Sequence, residues 1–247
     1  MRFDSAQGRG HDAARAIYRL RAYSYDLQLA PYEFIRRHAV ERLQLQPGQC
    51  VLDLGCGTGM SLALLQQAVG PQGRVVAVDQ CPEMTALARS RIQLEGWHNV
   101  ELLCAEVEAA PLPAQADAAF FHLVHDILQS PQAVAHVLSH LKPGARVVAT
   151  GLKWTAPWLV PWNTLVGLFA AQSITNFDRL ATPWQPLLDQ GVELEVETVL
   201  MGTIFVASGA VGKSSVAAGG RTSRPGPSDS WHGGETKGGM NKNTAKR

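Results

Sequence analysis

The chain has no excess of charge of either sign, no paired cysteine motif and no long apolar run. Lysine and arginine total 22 against 21 aspartates and glutamates, a formal net charge of +1. That balance gives no electrostatic footprint for specific nucleic-acid binding. Four cysteines, at 50, 56, 81 and 104, contain no C-x-x-C pair, so a zinc ribbon or thioredoxin-type motif is unsupported and no metal site is expected. Cys50, Cys56 and Cys104 adjoin apolar runs, where a thiol behaves as a small buried hydrophobe, and reduced thiols are expected. Residues 1–12 are mostly polar rather than charged-then-apolar, so no secretory leader is expected. The most membrane-like stretch, residues 158–171, holds Pro161 and Asn163 and falls short of the roughly 20 apolar residues of a spanning helix. A soluble, cytoplasmic protein is the expectation.

What is present is a hydrophobic fraction of 46% with only 17% charged residues in 247, enough for a sizeable core and incompatible with whole-chain disorder. The near-zero charge conceals a split. Residues 209–247 carry seven basic groups against two acidic ones, a surplus of +5, which leaves 1–208 at −4. That tail also holds nine glycines and five serines without periodicity, and is expected to be disordered. Its Gly212-Lys213-Ser214 mimics the end of a phosphate loop, but Ala207 stands at the first glycine position and no amphipathic helix follows.

Between these limits the pattern is α/β. Helical spacing over 14–45, broken at Pro31, makes 1–45 an N-terminal helical segment. Apolar or β-branched runs at 50–54, 74–79, 100–104, 117–123 and 145–150 read as strands, and 61–69, 82–94 and 133–141 as helices. Lys142-Pro143-Gly144 reads as a turn. Strands and helices alternating across short turns argue for a doubly wound, mostly parallel sheet covered on both faces. The domain is expected over 46–208. Within it, 152–186 holds Trp154, Trp158, Trp162, Phe169, Phe177 and Trp184 and reads as an aromatic lid or insertion. Residues 192–199 and 201–208 then read as an antiparallel pair at the sheet edge.

The most informative segment is Asp53-Leu54-Gly55-Cys56-Gly57-Thr58-Gly59, between a strand and a helix. Such glycines let the backbone turn tightly and approach a ligand, and the following helix offers unpaired N–H groups to an anionic part of it. The dinucleotide fingerprint would need glycine or alanine where Met60 stands, so an NAD-dependent reductase is disfavoured. Asp53 beside the loop would repel a pyrophosphate but suits a ligand with ammonium and sulfonium charges. Asp79 ends the second strand, where an acid can accept hydrogen bonds from both ribose hydroxyls; capping the next helix is its other reading. Glu106, followed by Val107, ends the third strand and suits the amino group and face of an adenine, a solvated loop acid being the alternative.

These residues, with Lys142-Pro143-Gly144 ahead of a strand, resemble class I S-adenosyl-L-methionine-dependent methyltransferases, and within them the small-molecule branch of ubiquinone and menaquinone C-methyltransferases. The resemblance runs over about 23–207. It implies a seven-stranded Rossmann-like sheet with an antiparallel last strand and S-adenosyl-L-methionine as cofactor. It further implies that Asp53, Gly55, Cys56, Gly57, Thr58 and Gly59 hold the methionine end, with His122 lining it, Asp79 and Gln80 the ribose, and Glu106 with Val107 the adenine. Where the family usually has Gly-Asp-Ala after the third strand, this chain has Cys104-Ala105-Glu106.

Methyl transfer demands alignment and exclusion of water rather than a particular side chain. A base is needed only for a hydroxyl or acidic carbon acceptor, and His122, His125 and Asp126 after the fourth strand are the candidates, packing or capping being the other reading of both histidines. His136 and His140, four apart on a helix, lack a third ligand and read as a solvated face. Phe120-Phe121-His122-Leu123 lacks the Asn/Asp-Pro-Pro-aromatic motif of nucleobase methylation. A small hydrophobic or aromatic acceptor is therefore expected, in keeping with peripheral membrane contact. A non-catalytic cofactor-binding scaffold on the same fold is the competing reading.

Overall fold

The computed structural model describes residues 32–170 and 180–212. The expected helical spacing upstream of Pro31, Phe177 of the aromatic segment, and the tail from 213 onward lie outside them. In chain order the described elements are α1 (Glu33–Arg42), β1 (Cys50–Leu54), α2 (Leu62–Val69), β2 (Arg74–Asp79), α3 (Pro82–Glu95), β3 (Val100–Cys104), β4 (Ala116–His122), α4 (His125–Gln129), α5 (Pro131–Ser139), β5 (Leu141–Leu152), α6 (Val160–Ala170), α7 (Gln185–Asp189), β6 (Val192–Val199) and β7 (Ile204–Val211). Proline at the first turn starts α3 and α5, and at α5 Ser130 Oγ accepts the Ala133 N–H at 3.2 Å.

The strands form one sheet in the order β3-β2-β1-β4-β5-β7-β6. β1 to β5 are parallel, and β7 runs antiparallel to both β5 and β6. The winding reverses between β1 and β4, which makes their carboxyl ends the switch point where open α/β sheets bind ligands.

Alternation along the strands divides the core in two. Leu52, Leu54, Ala119 and Phe121 face α4, α5 and α7, where Leu128, Val134, Val137 and Leu187 are buried. Val51, Ala118 and Phe120 face α1 and α2, packing on Ile35, Ala39, Leu43, Leu62 and Leu65. The same period places Asp53 and His122 on the α1–α2 face.

Four expectations are corrected. Lys142-Pro143-Gly144 is part of β5 rather than a turn before it, because fully buried Leu141 already pairs with Ala116; a register shift follows before Ala118 meets Arg146. The helix expected to reach Leu141 accordingly stops at Ser139. The last strand, expected over 201–208, runs over Ile204–Val211 instead: Leu200–Gly202 form a short 3-10 turn, and Gly209, Ala210 and Val211 complete β7, with Val211 paired to Val192 and only 3% exposed. Gly209 belongs to the sheet for a steric reason: a Cβ there would lie 1.7 Å from the Glu193 carbonyl oxygen. Finally, Cys104 is exposed, because edge strand β3 ends there; all four cysteines are free.

Candidate active site

The loop after β1 is anchored to β2 by two amides, Gly55 N–H and Cys56 N–H, which donate to Val78 O at 2.8 and 3.0 Å. Gly55, Gly57 and Gly59 all take positive φ. Gly57 matters most for a ligand, because a Cβ built there meets nothing within 4 Å, so the loop presents open backbone. Asp79 fixes this cradle from β2. One carboxylate oxygen accepts Gly57 N–H at 2.8 Å, the other Cys81 N–H at 2.9 Å. It thus caps toward α3, one of its two readings from sequence, and stands at the loop.

A cleft of about 340 Å³ opens at the switch point, within the roughly 300–1,000 Å³ of small-molecule sites. Gly55, Asp79, Gln80, Glu106, Val107, His125 and Asp126 all line it, together with Glu108, Leu123, Val124 and Ile127. Its lining carries four carboxylates and no lysine or arginine. That field suits a cationic ligand and opposes a pyrophosphate. Ser130 Oγ donates to Glu108 Oε2 at 3.3 Å across the far wall.

Behind the loop lies a second cavity of about 40 Å³, which shares Gly55 and Leu123 with the cleft and is lined by Asp53, Cys56, Gly57, Thr58 and His122. Arg36 and Met60 complete it. Asp53 is 2% exposed and its Oδ2 has no hydrogen-bond partner. Burial pushes its carboxyl up to about 7, the Arg36 charge opposing and Asp79 adding to the shift. His122 Nδ1 lies 2.7 Å from Thr150 Oγ1, its ring stacks on Phe120, and Nε2 is buried without a partner. Burial, reinforced by the Arg36 charge, holds the ring down to about 3, so it is neutral.

The catalytic candidates separate on this geometry. His125 is 4% exposed, its Nε2–H donates to Leu152 O at 2.8 Å, and burial lowers its basicity. Neutral His122 and committed His125 are poor proton acceptors, whereas Asp126 presents an exposed carboxylate at the cleft. Gly59 lines neither cavity and packs toward Ala88 of α3. His136 and His140 do not form the solvated face expected of them: His136 Nε2–H donates to Ala110 O at 2.9 Å, and the two rings pack together. No group of residues able to hold a metal occurs among the described residues.

The aromatic segment departs from its expected place. Trp184 packs on Phe205 in the core, Trp154 lies against Leu180, and Trp158 is 80% exposed. None of the described tryptophans lines either cavity.

Arg36 and Leu123 were missed from sequence. Arg36 sits on the apolar stripe of α1 with Ile35, Ala39 and Val40 and is 1% exposed; a cation on a buried helical face was the available signal. Leu123 carries φ 59° between β4 and α4, a conformation that no sequence pattern announced.

Known proteins resemble this chain over the segment that carries the site. Residues 51–144 match the methyltransferase domain family. The chain is 34% identical over 116 residues to arsenite methyltransferase of Halobacterium salinarum, covering 46% of this chain and 30% of that protein. It is 28% identical over 171 residues to the ubiquinone/menaquinone biosynthesis C-methyltransferase UbiE of Legionella pneumophila, covering 63% and 67% respectively. A methyltransferase structure from Aquifex aeolicus aligns with a TM-score of 0.52 at 24% identity, over 71% of this chain and 89% of that one; this likeness concerns the fold. The chain spans less than half the length of several curated relatives it matches. The sheet has the Rossmann-like fold of class I S-adenosyl-L-methionine-dependent methyltransferases, and residues 51–144 carry the match to the methyltransferase domain family. The cofactor of that family is S-adenosyl-L-methionine, and the residues fit it: an open glycine cradle, a cleft without basic side chains, and a buried carboxylate oxygen awaiting a donor.

Proposed function

We propose that the chain transfers a methyl group from S-adenosyl-L-methionine to a small apolar molecule of quinol-like or aromatic character. The observation that carries this reading is the acid-lined, cation-free cleft at the switch point, with Asp79 gripping the Gly57 amide at its mouth. When bound, the cofactor supplies an electrophilic methyl group on a sulfonium. Asp79 would hold the ribose with Gln80 beside it, Glu106 and Val107 the adenine, and the glycine loop the methionine end.

Leu123, Val124 and Ile127 give the cleft an apolar wall, which would align the acceptor and exclude water. Asp126 is the group placed to accept a proton from an acidic acceptor. An apolar acceptor is also supported by relatives named for quinone methylation. The free thiols suit a reducing cytoplasm. No helix among the described residues is long and apolar enough to cross a membrane.

The test is turnover with naphthoquinol, phenolic and lipid acceptors, following S-adenosylhomocysteine release. Product from one acceptor class supports the reading. Cofactor binding with no turnover on any of them favours the scaffold.

A further inference from the structure

Helix α6 is built inside out. Its inward side carries the buried Val166 and a polar residue, Asn163, whose amide is fully engaged. Asn163 Oδ1 accepts Thr155 N–H at 2.8 Å and Thr155 Oγ1–H at 3.0 Å, and Nδ2–H donates to Ala156 O at 3.2 Å. The outward side carries Val160, Pro161, Trp162, Leu165 and Leu168, all exposed. Thr164 is the one polar residue among those outward positions, and its hydroxyl donates back to Val160 O at 3.0 Å. A helix facing water has the opposite arrangement, with polar side chains outward.

The patch extends beyond the helix. Trp158 lies just before it, and Leu200 and Met201 stand nearby at the tip between β6 and β7, 42% and 61% exposed. Lys153 N–H donates to Thr203 O at 2.8 Å, and a Cβ on Gly202 would come within 3.9 Å of Thr155 Cγ2, so the tip and the start of the segment are neighbours. Leu200 and Met201 take φ of 50° and 57°, a left-handed conformation that costs side-chain-bearing residues energy. Two separate elements thus hold large apolar groups outward at the carboxyl end of β5, the strand end to which His125 of the cleft is bonded.

The chemistry of this face selects its partner. Residues 154–177 contain no Asp, Glu, Lys or Arg, where the chain's 17% charged content would place about four. Protein interfaces carry roughly one hydrogen bond per 100–200 Å², and the outward side of α6 offers one hydroxyl that is already used. Tryptophan is the residue that favours the headgroup boundary of a bilayer, and an in-plane helix buries its apolar side there. At 11 residues α6 is about 16 Å long, roughly half the hydrocarbon thickness. It can lie in that boundary and cannot span it.

We propose that α6, with Trp158 before it and the Leu200-Met201 tip beside it, is a docking face for a lipid surface, held by apolar burial rather than by charge. This inference concerns a surface outside both cavities and depends on no step of the methyl-transfer reading.

The experiment is flotation of the full chain with vesicles of pure phosphatidylcholine and of phosphatidylcholine with added phosphatidylglycerol. Each is run in low salt and in about 1 M NaCl, where the Debye length is about 3 Å. Binding to pure phosphatidylcholine is expected in both salts. Trp158→Ser and Leu165→Glu should each weaken it roughly tenfold or more, with the unfolding midpoint and S-adenosylhomocysteine affinity of the wild type. Leu94→Glu, at an 85% exposed leucine of α3, should leave it within about twofold. Three results overturn the proposal. One is no flotation with pure phosphatidylcholine, whether or not phosphatidylglycerol restores it in low salt, since basic residues would then carry the contact. Another is flotation that neither patch variant weakens. The third is self-association of the wild-type chain that both patch variants abolish without any flotation, which would make a second copy the occupant. Each of these leaves methyl transfer untouched, and failure to turn over any acceptor leaves the docking face standing.

Discussion

At the scale of single residues, Asp53 and His122 hold opposite positions in the pH balance of the cofactor-free chain. Asp53 is pushed up to about 7 by burial, against about 4 in an unfolded chain. The folded state therefore binds more protons between those values, and its stability falls as pH rises through that window. His122 is pushed down to about 3, against about 6.5 unfolded. There the unfolded state binds more protons, and stability rises with pH over that range. The two slopes oppose each other in mild acid. Asp53→Asn removes one of them. Its stability relative to wild type is expected to improve by roughly 2–4 kcal/mol between pH 5 and pH 8, measured by urea unfolding without cofactor. A gap that stays constant across that range would show that ionising Asp53 costs the fold nothing.

At the scale of elements, legibility followed how local the deciding force was. β1, β2 and β3 have the bounds expected of them because each is an apolar run closed by turn residues. The glycine loop and Asp79 were equally local: a strand, a turn and an acid at its end suffice to define them. β5 and β7 were misjudged, β5 running over Leu141–Leu152 where 145–150 was expected and β7 over Ile204–Val211 where 201–208 was expected, since Pro143-Gly144 and Gly209 carry the composition of turns and tails. There the neighbouring strand decides, through Leu141 pairing with Ala116 and Gly209 pairing with Leu194. Arg36 was hidden for a related reason, as only the packing of α1 on the sheet brings it beside Asp53. The close approach at Gly209 gives this argument a test. Gly209→Ala would drive a methyl group into the Glu193 carbonyl, 1.7 Å away in the present backbone, so β6 must shift or detach. A loss of at least about 2 kcal/mol is expected, with faster amide exchange along β6. Wild-type stability in this variant would mean that β6 is loosely held.

At the scale of the whole molecule, the sheet formed by the described residues ends at Val211. β6 and β7 pair from Val199 with Ile204 to Val192 with Val211, and among the described residues no lining residue of the two cavities lies beyond Ala133. Residues 213–247, with seven basic and two acidic groups, add a charge of +5 to a remainder of −4, and they are expected to be dispensable for core and site. Two truncations separate these roles. A chain ending at Gly212 should keep its unfolding midpoint and its affinity for S-adenosylhomocysteine, and lose any salt-sensitive adsorption to anionic surfaces that the full chain shows. A chain ending at Ser208 removes three paired residues from β7, which lies between β5 and β6, and should unfold several degrees lower. Its loss reaches the site indirectly, because Phe205 of the same strand packs against the His125 ring. Equal behaviour of the two truncations would place the end of the domain before Gly209. Loss of cofactor binding on ending at Gly212 would make 213–247 part of the binding domain.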